Sequence, residues 1–479
     1  MKNTIIALSV VLAAFASAAG DAFKTGFART DITPPLGTPL AGYYHYRPST
    51  GILDPLEAIC VAVCDGEKTA LLYSIDHLHI NNGLTARIKS AVAKAVKVDE
   101  AAVYIASTHT HLGPNSALGG EVTAQKAEEC ARAKAAIEFA NELILRRMVD
   151  AAVYAIADLA PSKIAVARGE APGLSFIRRF KMKDGTTRTN PGVKNPNIDR
   201  AIGQSDDSLQ LVRFIREGRP DIAIINFQTH PDVIGGSRYS ADWPGFARRQ
   251  LEKSLDGAIH AVLFNGAQGD TNHINVNPSD DIARIRRYEL SRHMGRKIAG
   301  VALGLWDVAK TVESGKIGYK VAIAKIPPKA VDPAKIPYYR EVARLHREKR
   351  DHEIKMTTGV GMERTSIIAE AQHCLDVVDR GIKSFDMPVS CVTVGRALAF
   401  CGFPGEPFTE LGLAVKRASA FAMTIPTCCT GGSFGYLPVA SAYDEGGYEQ
   451  RSSRYAKGVG ELLVKSAVTT LGELYPGDK

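Results

Sequence analysis

A chain of 479 residues with 45% hydrophobic and 23% charged residues has the balance of an ordinary globular protein, long enough to bury one large core or two ordinary ones. Its formal charge of +8 is spread without a dense Lys/Arg block, which argues against a nucleic-acid-binding protein and leaves anionic surfaces or substrates open. Among its eight cysteines there is no C-x-x-C pair, which disfavours a thiolate zinc cage; a disulfide pattern stays open.

Lys2, the apolar run 5–15 and Ala16-Ser17-Ala18-Ala19 have the layout of a secretory signal peptide. Residues 1–19 are therefore expected to be removed, leaving 20–479 as a single domain, secreted or periplasmic. No later run approaches the ~18 uninterrupted apolar residues of a spanning helix. Apolar runs at 101–106, 221–227, 261–264, 396–401 and 421–426 each end abruptly in turn residues and read as buried strands. Helical patterns fall at 84–96, 124–159, 245–255, 283–305, 330–350, 364–380 and 408–419, with one last helix near the end. The basic stretch 339–355 alternates Arg and Lys with Glu and His at helical spacing, as a solvated helix face does. Residues 176–202, rich in Lys, Arg, Asn, Gly and Pro, read as a long loop. No internal repeat or linker is evident. The fold class expected is α/β, with mixed β-sheets, flanking helices and the site at the C-terminal loops of strands.

Those loops carry the chemistry. Thr108-His109-Thr110-His111 places two imidazoles two residues apart, on one side of an extended chain, where one can bind a metal ion and the other move protons. His230 ends its strand in the same manner, ahead of Pro231. Glu406, between a strand and a helix beginning near Thr409, is either a cap or the oxygen donor of a His/His/Glu metal set. Asp270 and Asn272 lie in a loop with two glycines, either an ordinary turn or a site that orients ligands or an oxyanion. Asp76, His77 and His79 form another polar cluster at a strand end and leave a second metal open.

Together these segments resemble the N-terminal catalytic domain of the neutral, non-lysosomal ceramidases. The resemblance runs through Asp31-Ile32-Thr33-Pro34-Pro35, Leu40-Ala41-Gly42-Tyr43, Asp54-Pro55-Leu56, Thr108-His109-Thr110-His111, Thr229-His230-Pro231, Ser240-Ala241-Asp242-Trp243-Pro244-Gly245, Gly269-Asp270, Pro404-Gly405-Glu406 and the segment 436–449. It implies one zinc ion held by His109, His230, Glu406 and Tyr436, His111 as general acid/base, and substrate contacts from Tyr448 and Arg178. Asn272 stands where the family has a serine, so a serine nucleophile is not implied. The family's N-R-S-P motif survives only as Ile177-Arg178-Arg179-Phe180. The immunoglobulin-like C-terminal domain of the family is not expected here.

The resemblance implies a zinc-dependent amidohydrolase of N-acylsphingosine type, with a small-molecule or lipid amide as its substrate. It would touch a membrane surface only transiently, if at all, and needs no nucleic acid or obligate protein partner. Two alternatives stand beside it: the same metal centre acting on a non-lipid amide or ester such as a carbohydrate derivative, or a metal-containing binding protein without catalysis.

Overall fold

A computed structural model describes residues 23–119, 125–279, 287–357 and 362–477. The expected signal peptide lies outside these residues, as does the first part of the helical pattern at 283–305. No described helix is long and apolar enough to cross a membrane.

The apolar runs are strands, and they build one unit three times. In the first unit β1 (Lys24–Asp31), β2 (Glu57–Cys64) and β3 (Thr69–Ile75) run antiparallel; α1 (Asn82–Val96) crosses over; β4 (Val103–Ser107) returns parallel to β3; and α2 (Ala127–Ala157) follows. The second unit repeats this with β5 (Ala160–Glu170), β6 (Ser208–Arg216), β7 (Asp221–Phe227), α3 (Asp242–Ser254), β8 (Ile259–Asn265) and α4 (Arg287–Trp306). The third comprises β9 (Ile317–Ile326), a hairpin of α5 (Ile336–Arg347) and α6 (Glu363–Asp379), then β10 (Phe385–Val394), β11 (Leu398–Gly402), α7 (Thr409–Ala418), β12 (Met423–Thr427) and α8 (Val459–Leu474). The repeat escapes a sequence reading because what recurs is pairing direction and apolar period, not residue identity.

Units one and two share a nine-stranded sheet, ordered β8-β7-β6-β5-β1-β2-β3-β4 with Lys310–Val312 beside β5; unit three forms a separate sheet, β9-β10-β11-β12. Side chains alternate between the faces of each strand. In β2, Ile59, Val61 and Val63 enter the core between the sheets, while Ala58, Cys60 and Ala62 pack with residues of α1 and α2. In β11, Leu398 and Phe400 face the sheet partner, and Ala399 and Cys401 face α7 and α8. The result is four layers: helices, sheet, sheet, helices.

Gly26 shows how closely the layers approach, since a Cβ there would lie 1.9 Å from the carbonyl oxygen of Ala155 in α2. Gly26→Ala is expected to cost about 1–3 kcal/mol of stability, the usual range for overpacking. Denaturant unfolding checks this; an unchanged midpoint would mean that α2 moves aside freely.

Residues 176–202 correct the expectation of a loop. They hold short strands at Phe176–Ile177, Arg179–Met182, Thr187–Thr189 and Ile198–Ala201, the last three forming a small antiparallel sheet. Strands of two to four residues are too short to show a period. The basic stretch around α5 is a solvated face, with Arg344 paired to Glu341 and Glu348, and Arg350 to Glu353.

Candidate metal centre

The last strands of the three units end against one another. Asn265, closing β8, donates from its amide to Thr108 O at 3.0 Å, and its own carbonyl accepts from Cys428 N, just past β12, at 3.0 Å. Ser107 N, closing β4, donates to Cys429 O at 3.2 Å. This clasp gathers the carboxyl ends of the parallel strand pairs, where α/β folds place ligands.

Into it each unit sends one side chain: His109 from the end of β4, His230 from the end of β7 and Glu406 from the end of β11. The strand stops at Ser107, and His109 takes a left-handed backbone with φ of 71°. The expected extended pairing of His109 and His111 is thus corrected, although the turn still brings their rings to 5.1 Å, nearly perpendicular. A non-glycine residue at positive φ is costly and is held here by its surroundings, with His109 N donating to His77 O at 2.9 Å.

His109 Nδ1 lies 2.9 Å from Leu78 O and His230 Nδ1 3.0 Å from Gln268 O. Each Nδ1–H therefore donates to a carbonyl, the tautomer that metal-binding histidines adopt, and each Nε2 turns its lone pair towards Glu406, that of His230 also lying 3.4 Å from Arg178 Nη1. Glu406 Oε2 sits 3.3 Å from His109 Nε2 and 3.2 Å from His230 Nε2, and this buried oxygen has no hydrogen-bond partner. Acceptors facing acceptors in a buried pocket need a cation between them, so the donor set fits a metal ion. His109, His111 and His230 offer ligand atoms within 4.8 Å of one another, and this buried group could hold an ion.

Charge follows the same geometry. Burial and the neighbouring Arg178 guanidinium push His230 down to about 3, keeping it neutral. Burial opposes a charged His109, but the Glu406 carboxylate raises its pKa, and the same contact holds Glu406 well below the usual carboxylate range against its own burial. His111 is driven well below its ordinary value by burial and by the two other imidazoles. Neither of its ring nitrogens has a hydrogen-bond partner.

No family model and no curated protein matches the sequence. Solved structures do match in fold. Neutral ceramidase from Pseudomonas aeruginosa aligns with a TM-score of 0.68 at 16% identity, covering 96% of this chain and 76% of that one. A ceramidase complexed with C2 gives 0.67 at 15% identity with the same coverages. The chain has a neutral ceramidase-like fold.

In this ceramidase-like frame Tyr436 stands beside Glu406, paired with it in a two-residue parallel ladder, Glu406–Pro407 with Tyr436–Leu437. Arg178 is buried over the Tyr436 ring, donating to Glu449 Oε1 at 2.8 Å and to Gly269 O at 2.7 Å. Tyr448 borders the site, with its ring 5.4 Å from that of Tyr436 and its hydroxyl 3.2 Å from that of Tyr44. Asn272 lines the cleft on the Arg178 side and donates to Asn190 Oδ1 at 2.8 Å. Asp270 is placed elsewhere: it accepts from Thr409 N and Oγ1, both at 2.8 Å, and so pins the start of α7. His79 lines the cleft next to His109, while His77 is sealed inside with both ring nitrogens unpartnered. Among the described residues, His109, His111 and His230 are the group that could share an ion.

The remaining motifs are pins. Asp54 accepts from Ser240 Oγ at 2.6 Å and Ala241 N at 3.0 Å; Asp242 accepts from Val233 N at 2.9 Å, just beyond His230. Arg248 grips Asp76 with two nitrogens, at 3.0 and 2.6 Å, fixing the loop that carries His79.

Asp232 was not legible as a site residue, although it lies two residues after His230. Its Oδ1 accepts from the Tyr43 hydroxyl and lies 3.9 Å from His111 Nδ1, and burial lifts its pKa to about 6. It stands beside the His111 ring, too far for a hydrogen bond but near enough to bias the ring through its charge. Asp232→Asn is expected to lower kcat roughly 10–100-fold, the range for residues that orient a metal site's side chains, without loss of metal. An unchanged kcat would leave Asp232 as no more than a partner of Tyr43.

Proposed function

We propose that the chain is an exported zinc-dependent hydrolase that cleaves an amide bond with water, in the manner of an N-acylsphingosine amidohydrolase, using one zinc ion per chain. The observation that carries this is the convergence of the His109 and His230 Nε2 lone pairs on the unpartnered Glu406 oxygen. Zinc held there by these three residues, with Tyr436 as a fourth ligand, would polarise a carbonyl and bring the pKa of a water towards neutrality.

The protein's own residues supply the rest. His111 lacks the carbonyl partner that fixes His109 and His230 as ligands, so it is free to take a proton from the attacking water and return it to the departing nitrogen. Arg178, held by Glu449, places a fixed positive charge beside the reacting carbonyl. Tyr448 lines the cleft on both sides of the site and Asn272 lines it on the Arg178 side, where each would meet the substrate.

Metal analysis of the purified protein, paired with a hydrolysis assay on short-chain N-acyl compounds before and after chelation, tests this. Stoichiometric zinc and activity that is lost with chelator and restored with zinc are expected. Bound metal with no hydrolysis of any amide or ester would instead favour a binding protein.

A further inference from the structure

The same unit used three times separates two jobs. The loops after the third and fourth strands carry the metal-site residues; the connectors between the first and second strands wall the space above them. The first connector brings Tyr43 and Tyr44, the second Arg178 and Asn190, and the third, the α5–α6 hairpin, brings His346, Gln372 and His373. The hairpin has a hydrophobic core of its own, built on Tyr339, Leu345, Ile368 and Leu375, so it stands as a formed wall.

That wall closes a cleft of about 310 Å³ opening directly on His109, His111 and Glu406. Besides the metal-site residues and Tyr43, Tyr44, Tyr436 and Tyr448, the cleft is lined by the hydrogen-bonding side chains of Gln372, His373, Ser433, Ser452 and Arg454, with Leu78 as its aliphatic side chain. His373 has a buried Nδ1 without a partner. Arg454 is paired with Asp376 at 2.9 Å, a carboxylate it shares with Arg380, and His346 Nδ1 lies 2.9 Å from Asp351 Oδ1. A balanced set of donors and acceptors suits a neutral hydroxyl- or amide-bearing group better than a phosphate or sulfate. A long alkyl chain reaching these groups would bury them unpaired, and the apolar surface of the cleft is mostly tyrosine ring and not aliphatic side chain.

We infer that the hairpin end of the cleft is a subsite for a neutral, hydroxyl-rich group of about monosaccharide size, and that the substrate is a hydrophilic N-acyl or O-acyl compound and not a long-chain ceramide. The inference rests on the hydrolase reading for the bond that is cut, but not for what the subsite holds. Gln372, His373 and Arg454 set the specificity.

Two measurements on the zinc-loaded full chain separate the two claims: calorimetric binding of N-acetylglucosamine, and hydrolysis of that amide against long-chain ceramide in mixed micelles. Binding of the sugar is expected. In Gln372→Leu and, separately, His373→Leu, binding should weaken at least about 10-fold, because each leaves polar partners unpaired. Zinc content and thermal midpoint should stay unchanged in both variants. A variant that loses its fold is replaced by Gln372→Glu or His373→Gln, which keep the shape and should shift affinity among sugar epimers. Sugar binding without hydrolysis would keep the subsite and remove the proposed hydrolase. Efficient cleavage of long-chain ceramide, or sugar binding that is absent or insensitive to both variants, would overturn the subsite.

Discussion

His111→Ala is expected to leave the zinc content near one ion per chain while hydrolysis falls about 10²–10⁴-fold, the span usually lost with a general acid/base. The split follows from what each ring nitrogen does. His109 and His230 have one nitrogen committed to a backbone carbonyl and the other turned to Glu406, whereas both His111 nitrogens are uncommitted. Removing His111 therefore takes away a proton carrier and leaves the His/His/Glu set whole. The alternative is that His111, whose ring nitrogens come within 4.8 Å of those of His109 and His230, is itself a ligand. Zinc lost in step with activity in His111→Ala would establish that assignment and overturn ours. Metal analysis beside kcat on one short-chain amide distinguishes them.

Glu406→Ala is expected to remove metal and activity together, taking hydrolysis to the background of metal-free protein. Two neutral imidazoles remain after that change, with no anion to offset the charge of a divalent ion in a buried site. Glu406→Gln tests charge against shape: the amide fills the same space, yet its loss of charge should weaken metal binding as well. Retained stoichiometric zinc in both variants would reduce Glu406 to a residue that shapes the turn into α7. Because Gly269 packs where a Cβ would lie 2.4 Å from Glu406 O, the Glu406 backbone has little room to shift and compensate.

The strands that carry the site were legible because each is a short apolar run cut off by turn residues, and the run at 221–227 coincides with the observed strand Asp221–Phe227. His109, His230 and Glu406 could be picked out for the same reason: each follows the end of such a run. Arg178 and Tyr43 on the connectors were legible only through the resemblance, and the other connector residues were not legible at all. Tyr44, Asn190, Gln372 and His373 sit in segments without a strand-end signature, and their meeting depends on how the three units dock. Asp270 illustrates the opposite error of emphasis, since a carboxylate in a glycine-containing loop next to the site turns out to hold a helix start. Asp54 and Asp242 carry motif positions, yet what they do is tether loops, which only three-dimensional pairing reveals.

That His109, His230 and Glu406 come one from each unit has a consequence for how the protein matures. A chain with two units in place already holds His109, His111 and His230, three imidazoles that could share an ion, but lacks the Glu406 carboxylate that would offset the ion's charge. The His/His/Glu set proposed for zinc is complete only when the third unit seats.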